Sequence, residues 1–253
     1  MKYRINRSDL AFMLAAVFMV GLLSGIVLAP ANFVPERRVS IAGLKTVEMG
    51  IPAVDTDGNG VVGTLRTTVR PGTGQVLVNV NSVLAQFDTQ LSGRTAAKAA
   101  TDFAKADLNS IDIIYDISVN ASVIEGPSAG AAMATSIVLA LEDIPDSKSI
   151  MMTGTIRGAG SIGPVGAVPE KAAAAKDFGA TTFLVPVNQS SELKPNRLRQ
   201  CTVSNGIRVC KVTYDYDKVS IGSNLNITVS EVRTIGDAVE FFKKQSGNSG
   251  LSI

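Results

Sequence analysis

The sequence predicts an α+β domain that follows one hydrophobic N-terminal segment. Runs rich in β-branched residues, such as 76–80 and 111–119, alternate with runs of helical periodicity. Residues 92–108 are the clearest helix, because their apolar side chains recur on one face. A chain of 253 residues has room for one domain of about 200 residues with a substantial core.

The hydrophobic segment at residues 10–29 is long enough to cross a bilayer. Its twenty residues carry no charge, and a helix of that length spans about 30 Å, the thickness of the hydrocarbon core. A cleaved signal peptide is the alternative, but its apolar region usually has about 7–15 residues. We therefore expect a tail at 1–9, a transmembrane helix at 10–29 in contact with lipid, and a linker at 30–39.

Charges at the two ends of this segment predict its orientation. Lys2, Arg4 and Arg7 precede it against one Asp9, whereas the basic residues that follow it begin only at position 37. The positive-inside rule then favours a cytoplasmic N-terminus. We expect a single-pass protein of the cell membrane whose domain is extracytoplasmic.

The domain is expected over residues 40–246, with a flexible tail at 247–253. Turn residues at 57–60 separate two apolar runs and predict a hairpin over 51–70. Asp55, Asp57 and Asn59 also resemble the start of a calcium loop, but the later glutamate is absent, which favours a plain turn. Further strands are predicted at 149–156 and 181–187, and helices at 127–142, 168–178 and 234–245.

Cys201 and Cys210 flank the dipeptide Asn205-Gly206 symmetrically. Asn-Gly between β-forming residues is a strong signal for a two-residue hairpin turn. Counting outward from that turn places the two cysteines opposite each other at a non-hydrogen-bonded pair, where side chains are close enough for a disulfide. Two reduced cysteines that lie near each other are the alternative. A disulfide favours an oxidising compartment.

The composition excludes several kinds of function. The net charge is +2, and no basic stripe with interleaved aromatic residues is present, so nucleic acid is not an expected partner. The chain has no histidine, which excludes a Ser-His-Asp triad. An activated serine would have to pass its proton to a lysine or a carboxylate, and Ser-Lys is a known arrangement. No cofactor and no metal are predicted.

Ser128 and Lys171 are the residues that fit this arrangement. Ser128 lies in Glu-Gly-Pro-Ser-Ala-Gly, directly ahead of a helical run of small residues, and Lys171 lies at the start of a second helical run. Amide groups at a helix N-terminus can stabilise an oxyanion. The same position disfavours a cation, and apolar neighbours do so too, which lowers the pKa of a lysine toward that of a useful base. Gly126 and Gly130 allow a substrate backbone to approach closely. Each residue alone is commonly structural, Ser128 as a helix cap and Lys171 as a surface charge.

Both motifs resemble the proteolytic domain of the Lon family, the S16 serine peptidases. The nucleophile box of that family reads Asp-Gly-Pro-Ser-Ala-Gly, its catalytic lysine is the second in Lys-Glu-Lys, and a Thr-Gly pair precedes the lysine. The corresponding residues here are Ser128, Thr153-Gly154 and Lys171, at the family's spacing. The resemblance implies the Lon proteolytic fold, a ribosomal protein S5 domain 2-like sandwich. It also implies a catalytic dyad of Ser128 and Lys171, with Thr153 orienting the lysine and Glu125 shaping the site.

The resemblance further implies a serine endopeptidase that cleaves unfolded or flexible polypeptides, and a homo-hexamer. Thr155 departs from the family, which has glutamate there. The chain contains no Gly-x-x-x-x-Gly-Lys-Ser/Thr phosphate loop, so any ATPase would be a separate partner. Two alternatives stay open. One is an inactive, membrane-tethered binding or scaffold module on this fold, and the other is a phosphate-binding loop like that of small-molecule kinases that share the broad fold.

Overall fold

The computed structural model describes residues 12–19, 43–81, 84–85, 87–119, 123–124 and 127–249. The chain divides into two compact units, Met1–Arg37 and Arg38–Ile253. In the first unit, residues 12–19 form helix α1, whose side chains are exposed. No helix within the described ranges is long and apolar enough to cross a membrane. Apart from 12–19, the transmembrane helix predicted at 10–29 lies outside the described residues, as do the tail at 1–9 and the linker at 30–39.

The second unit contains a four-stranded sheet, whose strands in spatial order are β1 Lys45–Val54, β2 Gly60–Pro71, β5 Ile111–Ser118 and β3 Val76–Asn81. Its first three strands are antiparallel, and β3 is parallel to β5. The predicted hairpin is confirmed. In its turn, one carboxylate oxygen of Asp55 accepts hydrogen bonds from the amides of Asp57 (3.0 Å) and Asn59 (2.8 Å), the arrangement of a plain polar turn.

A three-stranded parallel sheet holds β7 Ile150–Met152, β10 Thr182–Pro186 and β13 Thr228–Val232, in the order β13-β10-β7. The strand predicted at 149–156 is interrupted after Met152. It resumes as β8 Thr155–Ile156, which pairs with β9 Ile162–Gly163 instead. A further short pair joins β4 Leu84–Ala85 to β6 Val123–Ile124.

Helices cover both faces of the parallel sheet, which confirms the α+β prediction. Successive strand residues point to opposite faces. Met152 and Leu184 accordingly belong to the main core, with side chains of α2, α3 and α6, whereas Met151 and Phe183 pack with α4 and α5. The helices are α2 Phe87–Ala104, α3 Gly130–Leu141, α4 Val168–Asp177, α5 Ile221–Leu225 and α6 Ile235–Ser249.

Three helices differ in their bounds from the prediction by more than one residue. Helix α2 begins before residue 92 and ends at Ala104, because Asp107 accepts a hydrogen bond from the amide of Asn109 and starts a separate 3-10 turn. Helix α3 begins after a 3-10 turn, Pro127–Ala129. Helix α6 continues to Ser249, so the first three residues of the predicted tail at 247–253 are helical. The side chain of Gln245, where the predicted helix ends, donates a hydrogen bond to Ser149.

Strands β11 Ser191–Ser204 and β12 Ile207–Ser220 form a two-stranded antiparallel hairpin. The predicted register from Ser204–Ile207 to Cys201–Cys210 is confirmed. Cys201 and Cys210 form a disulfide, with their Cα atoms 4.0 Å apart. The hairpin is much longer than the Asn-Gly signal alone predicts. Polar residues occur on both of its faces, so it lacks the apolar alternation by which a half-buried strand is recognised.

Candidate active site

The N-termini of helices α3 and α4 lie at the same edge of the parallel sheet. Helix α3 leads into β7, and α4 connects β7 to β10, which is parallel to it. A helix that returns the chain to the start of a parallel strand runs antiparallel to that strand. Helix α4 therefore begins at the carboxyl edge of the sheet, which we define as the edge where β7 and β10 end. Helix α3 begins at the same edge, because the amide of Ala131 donates a hydrogen bond to the carbonyl of Gly154, shortly after β7 ends (2.9 Å).

Ser128 is fixed at this edge through its backbone. Its carbonyl accepts hydrogen bonds from the amide of Gly154 (2.9 Å) and from the hydroxyl of Thr153 (3.3 Å). The N-cap of α3 is Ala129, and no side chain caps the helix. Ser128 therefore does not act as the helix cap that its position alone suggested, and its half-buried side chain is not engaged in capping.

Thr153 joins the serine to the sheet. Its side chain is buried, and its amide donates to the carbonyl of Leu184 in β10 (3.0 Å). The resemblance implied that the Thr153 hydroxyl orients the lysine, whereas here its hydrogen points to the Ser128 carbonyl. A hydroxyl that donates once still has two lone pairs, which can accept a hydrogen bond from an ammonium group.

Lys171 lies in the first turn of α4, and only 4% of its surface is exposed. Burial lowers the pKa of its amine, against a smaller opposing effect of the Glu170 carboxylate. No ion pair or side-chain hydrogen bond between described residues involves this amine. Because desolvation outweighs the effect of the Glu170 charge, it favours the neutral form of this lysine, and the neutral form is the one that can accept a proton.

Two residues that the sequence analysis missed position the first turn of α4. Ala167, the N-cap, adopts a left-handed backbone conformation with φ 55°, which costs about 1 kcal/mol for a residue other than glycine. The side chain of Gln189 makes two hydrogen bonds to the loop that precedes α4. It accepts a hydrogen bond from the amide of Val165 (3.0 Å) and donates one to its carbonyl (2.7 Å). No local pattern connects positions so far apart in sequence.

The structure thus brings Ser128, Thr153 and Gly154 into direct contact and places Lys171 on the same edge. Within the described part of the chain, no hydrogen bond joins the side chains of Ser128 and Lys171. Such contacts are often long without substrate and shorten when it binds. Glu125 and Gly126 lie outside the described residues.

Gly130 is required for close packing behind the serine. A Cβ atom at this position would lie 2.8 Å from Ile156 Cγ2 and 3.1 Å from the Ile156 amide nitrogen, and a backbone atom cannot rotate away. We expect Gly130→Ala to lower the free energy of unfolding by about 1–3 kcal/mol and to reduce activity, although alanine favours helix. Gly158→Ala is the matched control, because nothing lies within 4 Å of its Cβ position. Equal urea-unfolding midpoints for the two variants would contradict this account.

Comparison with known proteins identifies a family to which the chain is similar. Residues 42–214, which include Ser128, Thr153 and Lys171, match the family of the Lon protease (S16) C-terminal proteolytic domain. The chain is 33% identical to the Lon protease of Roseiflexus castenholzii over 145 residues, which is 54% of this chain and 18% of that protein. It is 30% identical to the Lon protease 1 of Syntrophobacter fumaroxidans over 165 residues, which is 64% of this chain and 20% of that protein.

The Lon protease of Geobacter metallireducens is similar as well, at 30% identity over 173 residues, which is 66% of this chain and 20% of that protein. The chain spans about a fifth of the length of these relatives. The family match covers well over half of the 253 residues. The chain therefore belongs to the family of the Lon protease (S16) C-terminal proteolytic domain.

Proposed function

We propose that this chain is a serine endopeptidase in which Ser128 is the nucleophile and Lys171 the general base. The observation that carries the proposal is the environment of the Lys171 amine. This amine is buried, makes no ion pair within the described residues and has a lowered pKa, and its helix begins at the sheet edge that holds Ser128. A buried amine without an ion-pair partner costs stability, and groups with perturbed pKa values occur mainly at functional sites.

The proposed reaction proceeds through an acyl-enzyme. Neutral Lys171 takes the hydroxyl proton of Ser128 while the serine oxygen attacks the scissile carbonyl carbon. Backbone amides of the 3-10 turn at the start of α3 stabilise the oxyanion. Collapse of the tetrahedral intermediate breaks the C–N bond, and the leaving amine takes the proton from the Lys171 ammonium. Lys171 then removes a proton from water, whose oxygen attacks the ester, and the serine leaves with that proton.

Unfolded or flexible polypeptides are the proposed substrates. The 253 residues contain no phosphate loop, the nucleotide-binding motif of ATPases that unfold protein substrates. A chain that reaches a serine at a sheet edge must be locally extended. The Lon resemblance also supports assembly into a homo-hexamer. A subunit that depends on a separate ATPase is the alternative form of the same proposal.

We further propose that residues 10–29 anchor the chain in the cell membrane, with the peptidase domain on the extracytoplasmic side. The length of the uncharged segment supports anchoring. The Cys201–Cys210 disulfide supports an oxidising compartment. No ATP is available to an external domain, so this topology favours a peptidase that acts alone.

Casein cleavage by residues 38–253, with and without ATP, tests the function. This range is a compact unit of its own. We expect equal cleavage under both conditions, and a serine-reactive phosphonate should form an adduct at Ser128. Cleavage only with ATP and an added ATPase would favour the dependent subunit. An absence of both cleavage and phosphonate adduct would favour the scaffold module or the phosphate-binding loop.

A further inference from the structure

The hairpin of β11 and β12 extends from the domain with both faces open to solvent; we call it the arm. All side chains in 193–200 and in 211–218 are exposed. Large apolar side chains are among them, including Leu193, Tyr214 and Tyr216, each more than 60% exposed. Solvent-exposed aromatic residues on a long ribbon are typical of surfaces that bind a partner.

The two faces of the arm differ in charge. Residues of alternate parity point to opposite faces, so the register places Cys201 and Cys210 on one face, which we call the cysteine face. That face carries three arginines, one lysine and no carboxylate: Arg197, Arg199, Arg208 and Lys218. The opposite face carries two lysines and three carboxylates: Lys194, Lys211, Glu192, Asp215 and Asp217.

Aromatic and apolar side chains lie between the basic groups of the cysteine face. Arg197 is directly opposite Tyr214 in the register, and Arg199 donates a hydrogen bond to the sulfur of Cys210 (3.5 Å). A face that is basic, partly apolar and free of carboxylates complements an anionic partner. The disulfide holds the two strands in register and reduces the entropy that the arm loses on binding.

The outer edges of the arm can pair with an extended chain. The described residues include no third strand in this sheet. Unpaired backbone groups on an exposed strand can add another strand, whose alternate side chains then lie over one face. Acidic residues at every second position of that strand would meet the arginines of the cysteine face.

The base of the arm adjoins the carboxyl edge of the sheet. The amide of Ile221 donates to the carbonyl of Ser190 (3.1 Å), and the hydroxyl of Ser190 donates to Glu231 of β13 (2.6 Å), which fixes the base. A groove of about 230 Å³ lies beside it. Ser191 and Glu192 of β11 line one part of this groove, and Val168 and Pro169 line another. These last two residues belong to the helical turn that carries Lys171.

We propose that the arm is a docking surface for acidic, extended segments of polypeptide substrates, which it holds beside the carboxyl edge where Ser128 lies. This proposal rests on the proposed peptidase function, because it names the substrate class of that site. An anionic membrane surface and a second copy of this chain are the other occupants that the charge pattern admits. The groove that joins the base of the arm to the Lys171 turn favours a substrate over both.

Binding of two peptides to the full-length Ser128→Ala protein in detergent tests the proposal without catalysis. Both fluorescein-labelled peptides have the same length; one repeats Glu-Thr and the other Gln-Thr. By fluorescence anisotropy we expect the Glu-Thr peptide to bind about tenfold more tightly at low salt, with a smaller difference at high salt. Equal affinity for both peptides would overturn the proposal.

Two charge-reversal variants locate the binding. Arg197→Glu with Arg208→Glu alters the cysteine face, and Lys194→Glu with Lys211→Glu alters the opposite face by the same net charge. We expect the preference for the Glu-Thr peptide to disappear in the first variant and to persist in the second. An equal loss in both variants would overturn the proposal, because only the overall charge would then matter. Thermal unfolding of each variant confirms that it is folded.

The other two occupants have their own readouts. The arm contains several sites for trypsin, and its cleavage can be followed after reconstitution in phosphatidylcholine vesicles with or without phosphatidylglycerol. Protection by phosphatidylglycerol, without a peptide preference, would overturn the proposal in favour of a membrane surface. A lower mass by light scattering for the first variant than for the unchanged chain, again without a peptide preference, would overturn the proposal in favour of a contact between copies.

The peptidase function has a separate test. If the unchanged chain forms no phosphonate adduct at Ser128, that result counts against the peptidase function, whereas the peptide-binding results count only for or against the arm as a docking surface.

Discussion

Ser128→Ala should reduce the cleavage of casein by at least about 10³-fold while leaving the fold intact. Removal of a serine nucleophile eliminates the acyl-enzyme route, and only substrate binding and oxyanion stabilisation remain. The backbone carbonyl, rather than the hydroxyl, makes the bonds to Thr153 and Gly154 that fix this residue. We therefore expect the free energy of unfolding to change by less than about 0.5 kcal/mol.

Ser110→Ala is the matched control. Ser110 is exposed and directly precedes β5. Its hydroxyl donates a hydrogen bond to the carbonyl of Asp107 in a surface turn. We expect this variant to cleave casein within about twofold of the unchanged chain. Retained cleavage by Ser128→Ala, or equal losses in both variants, would show that another residue is the nucleophile.

Features with a local signal were predicted from the sequence. The Asn205-Gly206 turn determined the register of the arm out to the cysteines, because each strand residue follows by simple counting from a two-residue turn. The run of small residues after Ser128 predicted a helix, and the structure has α3 there, with all twelve of its residues buried. A helix that is apolar on all sides has to lie inside the domain.

Features that depend on distant contacts were not predicted. The strand predicted at 149–156 is interrupted at Thr153, which donates hydrogen bonds to Leu184 and Ser128. Both partners are distant from Thr153 in sequence. Gln189 has no motif of its own, although it holds the loop that leads to Lys171. The length of the arm was not predicted, because neither of its faces is buried. Alternation of apolar and polar residues indicates that one face of a strand is buried, and it does not indicate strand pairing by itself.

Lys171→Met should greatly reduce activity and at the same time stabilise the fold at neutral pH. Methionine nearly matches the lysine stem in shape but cannot accept a proton, so we expect a loss of about 10²–10⁴-fold in kcat/KM. Lys171→Arg should be inactive as well, since arginine does not deprotonate in proteins. In the unchanged chain, kcat/KM should rise with pH as Lys171 deprotonates, with a midpoint below the usual lysine pKa of 10.5.

The stabilisation follows from the same lowered pKa. Burial lowers the pKa of Lys171 in the folded state, so the unfolded chain binds more protons between that lowered pKa and 10.5. Stability therefore rises with pH across this window, and the cost of the buried ammonium is fully present below it. We expect Lys171→Met to unfold at higher urea concentration than the unchanged residues 38–253 near pH 7, and this advantage should shrink near pH 10.5.

Lys176→Met separates this effect from the loss of any positive charge. Lys176 lies in the last turn of the same helix, α4, and is exposed. Its replacement removes one positive charge that is already in contact with solvent, so activity and the unfolding midpoint should change little. If Lys171→Met were no more stable than Lys176→Met near pH 7, the Lys171 amine would not be desolvated. The physical reason for treating it as the base would then be lost, whatever the activity of the variant. If Lys171→Met alone gained stability and lost cleavage, one buried amine would account for both, because the desolvation that destabilises the fold also produces the neutral base.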